Sequence, residues 1–309
     1  MVHNISFISE SMLNLIFPQP LRIGAIFASV AGLLFVSAWP SSGTQTIENS
    51  QPERPVDGIM DNSFLVEEAY NQEKGVVQHI LLAVYSRATL DSAEDSDWAL
   101  AFTQEWPLFS QAHQLSYTIP YTFLREGGSS QNGLGDIFLN YRYQAYFNPE
   151  TLTAFAPRAS IILPTGESDS GFVEDTAGMQ FNLPFSTTFG DSWFMHLNAG
   201  LTYLPNAASA QNRDLLDYNL GASLIYAHSR TLHFLVEWVA YWDQSGEPGQ
   251  AKSHEFTSLI SPGVRKAFNF ANEAQLVVGI AAPIGLTRAS PDIGVLFYVS
   301  FEHFFSRED

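Results

Sequence analysis

Twelve segments of alternating polar and apolar residues run from Val76 to Phe304, and the gaps between them alternate long and short. The segments span residues 76–86, 98–106, 112–124, 134–147, 152–163, 177–189, 193–204, 214–227, 231–243, 254–267, 273–282 and 293–304. Long gaps centre on Asp95, Ser129, Asp169, Ala208, Glu247 and Thr287, and short ones fall at 107–111, 148–151, 190–192, 228–230 and 268–272. An even number of antiparallel strands with tight turns at one end and long loops at the other is the signature of a transmembrane up-and-down β-barrel, whose crossings need about 9–11 residues at a tilt. The reading is therefore all-β, twelve strands, with both ends of the barrel on the short-turn side.

Within the segments the alternation has the sign that hydrocarbon outside and water inside demand. From Leu134, one face carries Ile137, Leu139, Tyr141, Tyr143 and Phe147, and the other carries Asp136, Asn140, Arg142 and Gln144. A one-residue slip would put Arg142 into lipid. Leu216, Tyr218, Leu220 and Leu224 oppose Asp217, Asn219 and Ser223 in the same way, and Met195, Leu197 and Leu201 oppose His196, Asn198 and Thr202. In the segment from Thr231, Leu235 and Val239 share a face with Glu237, so part of the interior is apolar. A soluble barrel or sandwich also alternates, but it has no reason to place aromatics at both ends of its outward face. Trp98 and Trp106 share parity eight residues apart, ~21 Å along the membrane normal at a tilt near 40°, which matches girdles flanking an apolar band ~25 Å tall. Tyr218 with Tyr226 repeats that spacing, and Trp193 with Tyr203 comes close. The last segment, with Val295, Phe297, Val299 and Phe301 in phase and Phe305 following, has the aromatic-rich outward face of a closing strand.

A chain with 14 Lys+Arg against 32 Asp+Glu, net −18, is repelled by nucleic acid. Its 14% aromatic content against 15% charged residues excludes a disordered chain. There are no cysteines, so thiol and iron–sulfur chemistry is absent. Residues 1–38 read as a signal peptide: Arg22 precedes an apolar run at 23–36, too short for a span of about 20, and Val36-Ser37-Ala38 offers small residues for cleavage. Residues 39–75 read as a linker carrying either a short helix from Ser63 to Tyr70 or a plug, residues 76–305 as the barrel, and 306–309 as a polar tail. Partners implied are outer-membrane lipid and lipopolysaccharide, the outer-membrane assembly machinery and a small-molecule solute, with no nucleic acid.

The sequence offers no catalytic motif, no metal motif and nothing that points to a cofactor. The eight histidines are scattered. An enzyme acting on lipid needs its nucleophile where acyl chains arrive, whereas parity puts Ser160, Ser186, His196 and Ser223 inside. Two acidic loop runs, Asp91, Glu94, Asp95 and Asp97, and Glu167, Asp169, Glu174 and Asp175, read as solvated tips in preference to a Ca²⁺ site. Parity assigns Glu105, Asp136, Asn140, Arg142, Arg158, Asn182, His196, Asn198, Asp217, Asn219, Glu237, Arg265 and Glu302 to the interior, where charges on a pore wall tune selectivity. Twelve strands lie between filled barrels of eight and water-filled barrels of sixteen, so a narrow, partly occluded channel of modest cation preference is expected. The alternatives are an outer-membrane barrel enzyme acting on lipid, which the inward placement of Ser160, Ser186, His196 and Ser223 disfavours, and a structural or adhesion barrel that binds partners through its long loops.

Three runs carry a family likeness: Gly133-Leu134-Gly135-Asp136 opening a segment, Leu163-Pro164-Thr165-Gly166 closing the next, and Asn198-Ala199-Gly200-Leu201-Thr202-Tyr203 after Trp193. They resemble outer-membrane channels grouped as meta-pathway phenol-degradation proteins, a likeness spanning about residues 64–305. That resemblance implies a barrel passing small, hydrophobic or aromatic solutes and transfers no catalytic residue.

Overall fold

The computed structural model describes residues 58–59, 63–87, 96–126, 129–167, 172–207, 213–245 and 253–305. Among them the backbone forms one closed antiparallel barrel of twelve strands and no helix. In chain order these are β1 (Val76–Arg87), β2 (Ser96–Leu108), β3 (Ser110–Glu126), β4 (Ser129–Leu134, Ile137–Tyr143 and Tyr146–Asn148), β5 (Thr153–Phe155 and Arg158–Leu163) and β6 (Gly178–Asn182 and Phe185–Phe189). They continue with β7 (Trp193–Ala207), β8 (Arg213–Ser229), β9 (Leu232–Ser245), β10 (Ser253–Asn269), β11 (Gln275–Ala281 and Ile284–Gly285) and β12 (Ile293–Phe304). Each strand pairs with its chain neighbours, and β1 closes on β12 from Val76↔Phe304 to Arg87↔Ile293. The Phe305 amide donates to the Gly75 carbonyl at 2.8 Å, so both barrel ends meet at the short-turn rim.

Proline explains three of the interruptions. Pro157, Pro184 and Pro283 lack the N–H a ladder needs, and each stands between two pieces of one strand. Their carbonyls still accept, from Tyr143, Ala156 and Gly294 respectively. The break at Gly135–Asp136 in β4 has a different cause, described with the loop-end clasp below.

The two faces separate as the alternation requires. Leu139, Leu220 and Phe297 are 46%, 41% and 42% exposed on the outer wall, while Asn140, Asp217 and Tyr298 beside them are buried inside. Trp98, Trp193, Tyr203, Tyr218 and Tyr226 stand exposed on the outer wall near its two edges, and Trp106 is half-buried on the same face. Ile80, Leu82, Leu235, Val239, Leu259 and Tyr298 form an apolar sector within the polar lining.

Three expectations are corrected. The gap centred on Ser129 is no loop: β3 and β4 stay paired from Tyr121↔Leu134 up to Glu126↔Ser129, so the hairpin stands above the rim. Asp97 is not on a solvated tip but 5% exposed on the inward face of β2, where the Ser86 hydroxyl donates to it. Glu174 is likewise buried, because Phe172 and Val173 carry that loop into the barrel mouth. Residues 1–38 and 306–309, read as signal peptide and tail, lie outside the described residues, as do Asp91, Glu94, Asp95 and Asp169.

Candidate functional site

The lumen holds a piece of the chain itself. From Ser63 to Gln72 the backbone is bent and irregular, not the expected helix, and it lies inside the barrel with Phe64, Val66, Glu68, Ala69, Tyr70 and Asn71 all buried. An isolated helix of eight residues is marginal in water, and here side chains of the wall bond many of the backbone groups that a helix would have paired. The Ser63 hydroxyl bonds Ser223 at 2.7 Å instead of capping a turn. The amides of Leu65 and Val66 donate to one Glu237 oxygen at 2.8 and 3.0 Å, and the Phe64 amide reaches the same carboxylate. The Ala69 amide donates to Ser186 Oγ at 2.8 Å, and its carbonyl accepts from Gln144 at 3.1 Å. The tip, residues 63–66, sits at mid-height, whereas Tyr70, whose hydroxyl donates to the Leu152 carbonyl, and Gln72, whose amide donates to Gln114, lie toward the short-turn rim. Burial, with Glu68 second, pushes the Tyr70 hydroxyl far above its ordinary range, so it remains a donor.

Electrostatics ties this segment to the wall. Arg142 and Arg158 are direct partners in the β4–β5 ladder, and both point inward. Like charges facing each other across a ladder repel. Glu67 stands between them: Arg158 Nε lies 2.9 Å from both of its oxygens and Arg142 Nη1 lies 3.4 Å from Oε1. Arg142 also donates to Asn71 Oδ1 at 2.8 Å and to the Glu68 and Tyr70 carbonyls at 3.0 and 2.6 Å, and Glu105 is 3.9 Å away. Arg158 completes its fork on Asn140, Ser160 and Gln180. The counter-ion of a wall pair is thus carried by the lumen segment.

The interior residues assigned by parity fall into three groups. Glu105, Asn140, Arg142, Arg158, His196 and Glu237 surround or touch the segment, His196 through Ser186 and an edge-on Tyr70 ring. Asn182, Asn198 and Asn219 form an amide cluster on β6–β8, with Asn182 Oδ1 accepting from both others at 3.4 and 3.3 Å. Asp136, Asp217, Arg265 and Glu302 are buried on the inner face, and Arg265 faces Gly279, one of the glycines that receive Phe64, across the β10–β11 ladder. Sequence reasoning missed Glu67, Phe64 and the inward glycines Gly221, Gly263 and Gly279 that receive the tip; glycines recurring at inward parity were the available signal.

Ser186 Oγ and His196 Nδ1 are 2.7 Å apart, a spacing that a nucleophile and its base share. Ser186 is fully buried, however, and its oxygen already accepts the Ala69 amide.

The two loop-end motifs form a clasp. Asp136 Oδ1 accepts the Thr165 and Gly166 amides at 3.1 and 3.0 Å, and Thr165 Oγ1 accepts the Ile137 amide at 3.0 Å. A Cβ on Gly135 would come within 2.8 Å of Pro120 Cγ, and one on Gly166 within 2.8 Å of the Leu134 carbonyl oxygen, so close approach demands glycine at both. The profile of the family described as "Putative MetA-pathway of phenol degradation" matches residues 74–295. The chain belongs to this family. The match takes in the clasp and all the strands up to the start of β12. Among solved structures it is similar to an outer membrane channel from Pseudomonas putida F1, with TM-score 0.51 and 14% identity over 77% of this chain and 98% of that one. The beta domain of the Bordetella autotransporter BrkA aligns at 11% identity over 75% and 100% of the two chains, TM-score 0.47. The transport unit of the autotransporter AIDA-I from Escherichia coli aligns at 8% over 79% and 95%, TM-score 0.44. No curated protein sequence matches. The likeness to the Pseudomonas putida channel is one of fold.

Proposed function

We propose that the protein is an integral outer-membrane barrel serving as a passive channel or facilitator for small solutes, hydrophobic and aromatic ones among them, with its bore closed in this conformation by residues 63–72. The observation that carries the reading is a closed barrel whose outer wall is apolar between aromatic edges and whose inner wall is lined by hydrogen-bonding and charged groups. Membership of a family described by phenol degradation favours aromatic solutes. In this reading the long loops face outward to lipopolysaccharide, the short turns face the periplasm, and the aromatic last strand engages the outer-membrane assembly machinery. The thirteen inward polar residues named from parity then divide into those that grip the segment and those that line the path it leaves. No catalytic role is assigned, because the Ser186 hydroxyl beside His196 is occupied by the Ala69 amide.

Purified protein in planar bilayers should conduct in small steps, and proteoliposomes should take up simple phenols faster than fatty acids or sugars. Silence at every voltage together with no uptake of any of the three classes would reject the channel reading. Ester hydrolysis lost on His196→Ala would replace it with an enzyme.

A further inference from the structure

The apolar tip of the lumen segment rests in a recess shaped for one aromatic ring. On the inward faces of β10 and β11, Gly263 and Gly279 leave the wall bare where side chains would otherwise stand. A Cβ on Gly263 would come within 2.9 Å of Phe64 Cε2, and one on Gly279 would overlap Cζ and Cε1 of the same ring. Tyr298 of β12 forms the third side, its ring 5.0 Å from that of Phe64 and tilted by 34°. The wall therefore holds a slot one ring wide, and the ring now in it belongs to the segment and not to the barrel.

That slot adjoins a cavity of about 190 Å³ bordered by Phe64 and Tyr298. Its apolar side is completed by Ile80, Leu82 and Phe138, and its polar side includes the Thr103 and Thr118 hydroxyls, 2.9 Å apart. A dry cavity of about 150 Å³ accepts benzene, so this space fits a single ring with a small polar substituent. Its charges are mutually engaged: Glu67 bridges Arg142 and Arg158, and Glu105 takes the Gln114 amide beside Arg142. A carboxylate brought in here would find both guanidinium groups committed, whereas a neutral hydroxyl finds hydroxyl partners.

We infer that the Phe64 slot and its adjoining cavity are a binding site for a neutral, single-ring aromatic solute that competes with the Phe64 side chain, so that solute entry releases the tip and opens the bore. This rests on the channel reading for its consequence but not for the binding itself. Phe64 is a tethered occupant of the solute's own place. Displacing it breaks no strand pairing, since Ser63 to Gln72 lie outside every ladder.

The test uses the full-length protein with phenol as the probe, cyclohexanol as the non-planar control and benzoate as the charged one. Binding is measured by calorimetry in detergent, and conductance in bilayers with and without each probe. Phe64→Ala vacates the slot and should tighten phenol binding by ~10-fold or more, the occupied fraction no longer having to be displaced. Gly279→Ala fills the slot and should abolish saturable phenol binding while raising conductance without ligand. Retained heat-modifiable gel mobility verifies that both variants are folded barrels. Unchanged or weaker phenol binding in Phe64→Ala, or intact binding in Gly279→Ala, overturns the assignment of the slot. Benzoate or cyclohexanol binding as tightly as phenol overturns the ligand class. Phenol bound by the wild type without any rise in its conductance overturns the competition. Silence of all three proteins in bilayers rejects the channel reading, while the binding measurements still decide the slot.

Discussion

Replacing Glu67 by glutamine keeps the shape of the side chain and removes only its charge. Arg142 is 2% exposed, Arg158 16% and Glu67 17%, so the pairs are partly screened and a full buried-pair loss of 3–5 kcal/mol is too large. Exposed pairs contribute about 0–1 kcal/mol each, and two pairs between these limits give about 2 kcal/mol. Glutamine at 67 also leaves Arg142 and Arg158 facing each other, with Glu105 3.9 Å from Arg142 as an ion-pair partner among the described residues, which adds repulsion in the same direction. About 2 kcal/mol shifts the ratio of unseated to seated segment roughly 30-fold. Single-channel recording should show open probability rising by about that factor where the wild type is mostly closed, and reversal potentials should shift toward anions as the two arginines face the bore. The double variant Glu67→Gln with Arg158→Gln removes one cation along with the anion and should recover part of the closed state, a coupling that a double-mutant cycle reads directly. Glu67→Gln with wild-type open probability, or a double variant whose effect is the simple sum, would refute the counter-ion argument.

Removing the carboxylates Glu105 and Glu237 together, as Glu105→Gln with Glu237→Gln, should lower cation preference in bilayers and, because Glu237 holds the amides at the tip, raise open probability as well. Deleting residues 47–71 should raise single-channel conductance without loss of heat-modifiable gel mobility, since the β1–β12 closure begins at Val76. Leu220→Arg at the middle of the outer wall should cost ~2–4 kcal/mol of folding free energy in lipid vesicles, measured by denaturant titration. Nitroxides at Leu139, Leu220 and Phe297 should relax with dissolved oxygen and not with a water-soluble nickel complex; the opposite order would place hydrocarbon on the wrong face.

The wall was legible because its information is local and repeats every second residue. Arg142 between Tyr141 and Tyr143, or Asp217 between Leu216 and Tyr218, has one tolerable orientation when one solvent is hydrocarbon, and the strands end close to where that pattern breaks. The reach of β3 and β4 beyond the rim was not legible, because outside the membrane both faces are polar and alternation carries no sign. Asp97 and Glu174 were misplaced for a related reason: acidity near a loop marks solvent only on average, and Ser86 or a buried loop overrides it. Residues 63–70 failed differently. A Ser followed by apolar residues and paired glutamates favours a helix locally, but the competing donors and acceptors, Glu237, Arg142 and Ser186, come from strands remote in sequence, and their joint geometry exists only once the barrel closes. The glycines that receive Phe64 and Val66 looked like weak points of strands when taken one at a time.

The chemistry of the contacts argues that the segment is held to be released. Between Ser63 and Gln72 the bonds to the wall run to backbone amides and carbonyls or to side chains that water can satisfy equally well, so each contributes about 1 kcal/mol net and their loss leaves few orphaned groups once the bore is wet. At the tip the apolar attachment comes from two side chains, Val66 against Gly221 and Phe64 against Gly263 and Gly279, while toward the short-turn rim the Tyr70 ring packs edge-on against Phe147 and His196. Fully burying a Val or Phe contributes about 1.5–3 kcal/mol, so the two together can outweigh any single polar bond. The consequence is an uneven sensitivity along the segment. Truncating Phe64 should unseat the tip more than removing any one of the hydrogen bonds at Ser63, Ala69 or Asn71, whereas the Glu67 ion pairs, which water replaces only in part, should rank beside it.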